Sequence, residues 1–103
     1  MSGSDSEDSP FNAPVVLPIQ DTIDLHPFAP KDIPSVVEEY LGECLRNGIF
    51  EVRIIHGRGM GIQRNIVRSL LERHAHVVFF QDAPPEAGGW GATVVRLKDL
   101  NAR

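Results

Sequence analysis

The sequence predicts an α/β domain, a two-layer βαβαββ sandwich in which two helices cover a mixed, mostly parallel sheet. Three observations carry this. Two segments place apolar residues at three- and four-residue steps, and they alternate with short β-branched runs, the order expected of helical crossovers between strands. A glycine-spaced stretch, His56-Gly57-Arg58-Gly59-Met60-Gly61, stands between a strand-like run and the second helical segment. A chain of 103 residues, 42% hydrophobic and 23% charged, suits one core and is too short for two.

Residues 1–18 hold Asp5, Glu7 and Asp8 with no base, and prolines at positions 10, 14 and 18. Such a segment buries too little apolar surface to offset its ordering entropy, so a flexible acidic tail is expected, with Val15-Val16-Leu17 as an apolar island able to pack on the body or dock a partner. Residues 19–103 form the domain. The alternation from Asp21 to Asp24 suits a first strand ending at His26, because Pro27 biases His26 toward extended backbone.

Ile33, Val36, Val37, Tyr40, Leu41, Cys44 and Leu45 then share one helical face, leaving Glu38, Glu39, Glu43 and Arg46 mostly outside it. Pro30 or Pro34 suits the first turn of this helix, Asp32 a capping acid and Gly48 its stop. Val52 to Ile55 reads as the second strand. A second helix over about residues 62–74 gathers Ile62, Ile66, Val67, Leu70 and Leu71 on one face and carries Arg64 and Arg68, four apart, on an exposed stripe. Val77 to Phe80 is a continuous apolar strand, residues 84–89 a loop, and Gly91 to Leu97 the last strand. Two helical crossovers imply parallel pairing of the first three strands, and the last connection resembles a long hairpin.

Composition narrows the function. No uncharged apolar run approaches the roughly 18 residues of a membrane span, and the acidic, serine-rich start lacks the pattern of an export signal, so a cytoplasmic protein is expected. The single cysteine, Cys44, excludes an internal disulfide and a thiolate metal cluster; it reads as a small buried hydrophobe. The formal charge is -4, yet within residues 53–73 five arginines face only Glu72. Local charge sets local potential, so this segment suits a polyanion despite the net sign.

Asp24 and His26, two apart at the end of the first strand, project to the same side and can pair. His56 ends the second strand, and in a parallel α/β sheet the carboxyl ends of neighbouring strands share one rim. Gly57, Gly59 and Gly61 permit close approach of backbone to an anion at the start of the second helix, with Arg58, Arg64 and Arg68 as cations for a phosphodiester backbone. The spacing is neither a Rossmann fingerprint nor a Walker A loop. Structural alternatives stand beside each reading: Asp24 and His26 as a salt-linked strand end, His56 as a turn residue bonded to backbone, the glycines as a tight connection, Arg68 and Arg73 as a solvated face. His74 and His76 suit the last carbonyls of the second helix. Trp90 serves either as a stacking platform for a base or as a plug between the last strand and a helix.

Ile23-Asp24-Leu25-His26 resembles the "LDLH" motif, and Ile54-Ile55-His56-Gly57-Arg58-Gly59-Met60-Gly61 the "HGxGxG" motif, of small MutS-related (Smr) domains. Gly88-Gly89-Trp90-Gly91-Ala92-Thr93-Val94-Val95 is similar to the family's closing glycine-rich strand, so the resemblance spans about residues 20–98 of what looks like a stand-alone Smr protein. It departs where many relatives have glycine after the histidine of the first motif and this chain has Pro27-Phe28, which stiffens that loop. The resemblance implies a fold similar to the carboxyl-terminal domain of a translation initiation factor, association with DNA, RNA or ribosomes as in DNA repair or ribosome-linked roles, and nicking or endonuclease activity in some members.

The expected mechanism is phosphodiester cleavage with His26 as general base oriented by Asp24, His56 donating a proton or hydrogen bond, and the glycine-turn amides with Arg58 and Arg64 holding the phosphate. On RNA a 2'-hydroxyl attacks and no metal is essential; on DNA, Asp24 helps hold a divalent ion, Mg2+ or Mn2+. The rivals are a non-catalytic module binding RNA, DNA or a ribosomal surface, and a protein-interaction domain.

Overall fold

The computed structural model describes residues 19–99, in which four strands and two α-helices follow the predicted βαβαββ order. They are β1 (Asp21–Asp24), α1 (Ile33–Arg46), β2 (Glu51–Ile55), α2 (Ile62–Arg73), β3 (Val77–Asp82) and β4 (Ala92–Leu97). Short 3-10 turns cover Pro30–Asp32, Pro85–Ala87 and Gly89–Gly91. The acidic tail expected over residues 1–18, with its apolar island, lies outside the described residues.

The sheet order is β1-β2-β4-β3. This corrects the expectation of mostly parallel pairing: β1 and β2 pair in parallel, while β4 runs antiparallel to both β2 and β3. The first three strands do point the same way, as two helical crossovers require, but the β3–β4 hairpin folds back into the gap and separates β2 from β3. The parallel register sets Asp24 beside Ile55, so the residues that follow, His26 and His56, emerge at one rim.

One core lies between the helices and one face of the sheet. Ile33, Val37, Leu41 and Cys44 from α1 and Val67, Leu70 and Leu71 from α2 pack on Val52, Ile54, Val95 and Leu97. These are the positions that helical periodicity predicts, with one exception: Ile62, in the first turn of α2, is exposed. A small second cluster of Ala83, Ala92 and Val94 lies beneath Ile55 and Ala87. Each buried Leu or Ile contributes on the order of 1.5–3 kcal/mol by removal from water.

Local signals act mostly as expected. Pro30 opens the 3-10 turn and Pro34 sits in the first turn of α1; Asp32 occupies the N-cap position without a side-chain capping bond. Gly48 adopts φ +72 after α1, the left-handed conformation that ends helices. β3 is an edge strand: Val77 and Phe80 face the core, while Val78 and Phe79 are exposed beside a register shift. Its apolar run therefore does not mark a strand buried on both faces.

A candidate phosphodiester site at the β1–β2 rim

The backbone amide of His26 and its ring Nδ1–H both donate to Asp24 Oδ1, at 2.9 and 2.6 Å. A carboxylate only accepts, so the Nδ1 proton is fixed and the neutral ring leaves Nε2 as its acceptor. These two bonds hold the Asp24 carboxyl below its ordinary value. Both side chains are more than half exposed, at 56% for Asp24 and 61% for His26, so the pair is open to a ligand.

His26 Nε2 lies against the glycine turn. A Cβ placed on Gly57 would stand 2.8 Å from that nitrogen, and Gly57 has φ +83, so both conformation and close approach demand glycine there. At the other end of the turn, Gly61 begins α2 with φ +81, and a Cβ there would meet the Trp90 ring at 3.2 Å. His26, His56, Arg58, Arg64 and the glycine turn together line a shallow pocket of about 230 Å³. A wider groove between the helices, lined by Pro34, Ser35, Glu38, Leu70, Arg73 and His74, has neither the glycine turn nor an acid–imidazole pair.

The remaining predicted residues sit differently from expectation. His56 reaches the pocket wall but is only 4% exposed. Its Nδ1 lies 3.0 Å from the Gly57 carbonyl and its Nε2 lies 2.9 Å from Thr93 Oγ1. A carbonyl can only accept, so Nδ1–H donates to Gly57, and in the neutral ring the Thr93 hydroxyl donates to Nε2. Burial, aided by Arg64 and Arg68, keeps the His56 imidazole below its ordinary value despite its bond to Gly57 and the charge of Asp82. No ring proton is therefore directed at the pocket. The Gly57 amide is likewise taken, donating to the Gly91 carbonyl at 2.9 Å. The whole turn from Gly57 to Gly61 still lines the pocket.

Arg64 and Arg68 do not form the solvated stripe expected of them. Their side chains are only 16% and 29% exposed, and both donate to Asp82 Oδ1, at 2.8 and 3.2 Å. Arg64 also lies over the Trp90 ring, 4.6 Å from its centroid, and Arg68 over Phe80 at 4.9 Å. Arg58 folds along Gly89 and Gly91, and Arg53 donates to the Ala87 carbonyl away from the pocket. Asp82 and Thr93 are the partners that motif reading misses. They face each other across the β3–β4 ladder, and only the hairpin brings them under the rim. Cys44 is buried, and burial pushes its thiol up, as expected of an inert core residue.

Asp24 was also the expected ligand of a divalent ion. Among the described residues no group of three or more His, Cys, Asp and Glu side chains is arranged to hold a metal. Asp24 would supply a lone carboxylate, one oxygen of which already accepts two bonds from His26. That donor set does not fit a cation held by the protein alone.

The family model described as "Smr domain" matches residues 23–98. The chain is 40% identical over 78 residues to an Endonuclease MutS2 of Caldicellulosiruptor bescii, an alignment covering 76% of this chain and 10% of the relative. It is 47% identical over 62 residues, 60% of its length, to the Endonuclease MutS2 of Halalkalibacterium halodurans, of which it spans 8%. Its fold matches the crystal structure of the Smr domain of Thermus thermophilus MutS2 with a TM-score of 0.73 and 36% identity, covering 76% of this chain and 98% of that one. It also matches YdaL, a stand-alone small MutS-related protein from Escherichia coli, with a TM-score of 0.72 and 29% identity, covering 79% and 66%. The chain thus spans about a tenth of the length of the curated MutS2 relatives.

Proposed function

The chain belongs to the Smr domain family, and we propose that its β1–β2 rim binds a nucleic-acid backbone and cleaves a phosphodiester bond there. The observation that carries this is the tautomer-locked, solvent-open imidazole of His26: Asp24 fixes the Nδ1 proton, and Nε2 faces a pocket also lined by glycine backbone and arginine. An acid–imidazole pair in that state is equipped to accept a proton, which structural duty alone does not require.

In the proposed step Nε2 of His26 takes the proton of the attacking hydroxyl, a 2'-hydroxyl in RNA or a water on DNA. The oxygen so freed bonds to phosphorus, the bond to the leaving oxygen breaks, and that oxygen takes up a proton from solvent. Asp24 compensates the charge gained by the imidazole. Gly59, Gly61, Arg58 and Arg64 flank the position of the phosphate and stabilise its developing charge. His56 is a positioning residue: its bond to the Gly57 carbonyl holds the turn against which His26 rests. No step uses a metal held by Asp24.

The name Endonuclease MutS2 carried by the relatives supports this reading. The test is incubation of the purified protein with end-labelled single-stranded RNA and, separately, supercoiled plasmid, each with magnesium or with EDTA. Cleavage of either that survives EDTA is the expected result. Retention of both intact by protein that binds them overturns the catalytic step and leaves a binding module.

A further inference from the structure

Asp82, the last residue of β3, lies between the two arginines of α2. Its Oδ1 alone accepts from both α2 arginines, so each guanidinium is engaged through a single Nη nitrogen, and Arg64 Nε remains buried without a partner. The arginines are already ordered and largely withdrawn from water, Arg64 against Trp90 and Arg68 against Phe80. The acid, by contrast, is 45% exposed. Two cations with one anion leave the triad with net positive charge beside the pocket that Arg64 shares with His26.

We propose that Arg64 and Arg68 form an anion site for a backbone phosphate and that Asp82 is its internal competitor, displaced when a phosphodiester chain binds. The inference rests on the nucleic-acid reading above. A phosphodiester offers two unesterified oxygens in place of one shared carboxylate oxygen, so it can engage both guanidiniums without sharing an acceptor. Asp82, being half exposed, can turn to solvent at small cost, whereas the arginines keep their ring contacts. A lone carboxylate ligand brings no more than Asp82 already supplies. A chain of phosphates adds contacts at Arg58 and the glycine turn, so the competitor makes the rim selective for polyanions. It also shields the arginines from each other when no ligand is present.

The test compares binding of a short fluorescent oligouridylate by the wild-type protein and Asp82→Asn over a range of salt concentrations. Removing the competing charge is expected to tighten binding about three- to tenfold at low salt and to steepen the dependence of log affinity on log salt by about 0.7, the value of one further phosphate contact on a single strand. Equal or weaker binding by Asp82→Asn, with the wild type binding, overturns the competitor and leaves the nucleic-acid reading intact. No binding by either protein overturns both. Wild-type protein supplies a second readout that needs no variant: the Asp82 carboxyl carbon resonance should move as the oligonucleotide is added. A resonance that stays fixed while the arginine signals shift overturns the displacement.

Discussion

At the level of single residues, a hydrogen bond decides what each histidine can do. His26 and His56 occupy corresponding ends of paired strands, yet one is open with a free ring acceptor and the other is enclosed with both nitrogens committed. Burial sets the His56 imidazole below its ordinary value of 6.5. Its folded value is thus depressed relative to the unfolded chain, which takes up the proton first as pH falls. The stability this residue supports is complete above pH 6.5, declines below that, and ceases to decline once the folded value is passed. The melting temperature is therefore expected to drop as pH falls through 6.5, and to drop less in His56→Asn, whose amide can still donate to Gly57. The same decline in both proteins would contradict the neutral, buried assignment. Asp24, His26 and His56 were legible in the sequence because each lies in a short motif at a strand end. Thr93 and Asp82 were not, since nothing local in their segments announces a partner that lies 37 or 18 residues away.

Among the elements, the β2–α2 turn shapes the candidate site. Its glycines are required for different reasons: Gly57 leaves space for His26, and Gly61 for Trp90. Gly57→Ala places a methyl group 2.8 Å from His26 Nε2 and holds alanine at φ +83. It is expected to cost about 1–3 kcal/mol of stability in backbone strain, and to lower cleavage as strongly as loss of His26 while the protein remains folded. Denaturant unfolding and a cleavage assay on the same sample check both halves; unimpaired cleavage would show that His26 does not work from its place against the turn. Helix periodicity predicted both helices to within a residue or two, because their cores are continuous apolar stripes. Strand pairing was beyond it. A local pattern reports which face of a strand is buried but not which neighbour it meets, so the insertion of β4 between β2 and β3, and the exposure of Val78 and Phe79 at the edge, emerge only with the whole sheet.

Over the whole molecule, an acidic chain presents a basic rim. The formal charge of -4 is offset locally by Arg58, Arg64 and Arg68 near one pocket, with Asp82 neutralising part of that charge. Long-range attraction of a polyanion is consequently modest, and affinity for single-stranded nucleic acid is expected to fall with salt at a slope of about −1.4 to −2.1 in log units, the value for two or three phosphate contacts. A flat salt response would contradict binding through these arginines. The local excess of arginine was legible in the sequence, while its partial cancellation by an acid on another element was not.

The proposed base of the phosphodiester cleavage is His26, oriented by Asp24. The most direct measurement is the single-turnover cleavage rate of end-labelled RNA by wild type and His26→Ala, with binding of the same substrate recorded in parallel. His26 is exposed, so its truncation should leave the fold intact. A rate loss of about a hundredfold or more is expected, with binding changed by less than about threefold. Cleavage by folded His26→Ala at the wild-type rate would contradict it.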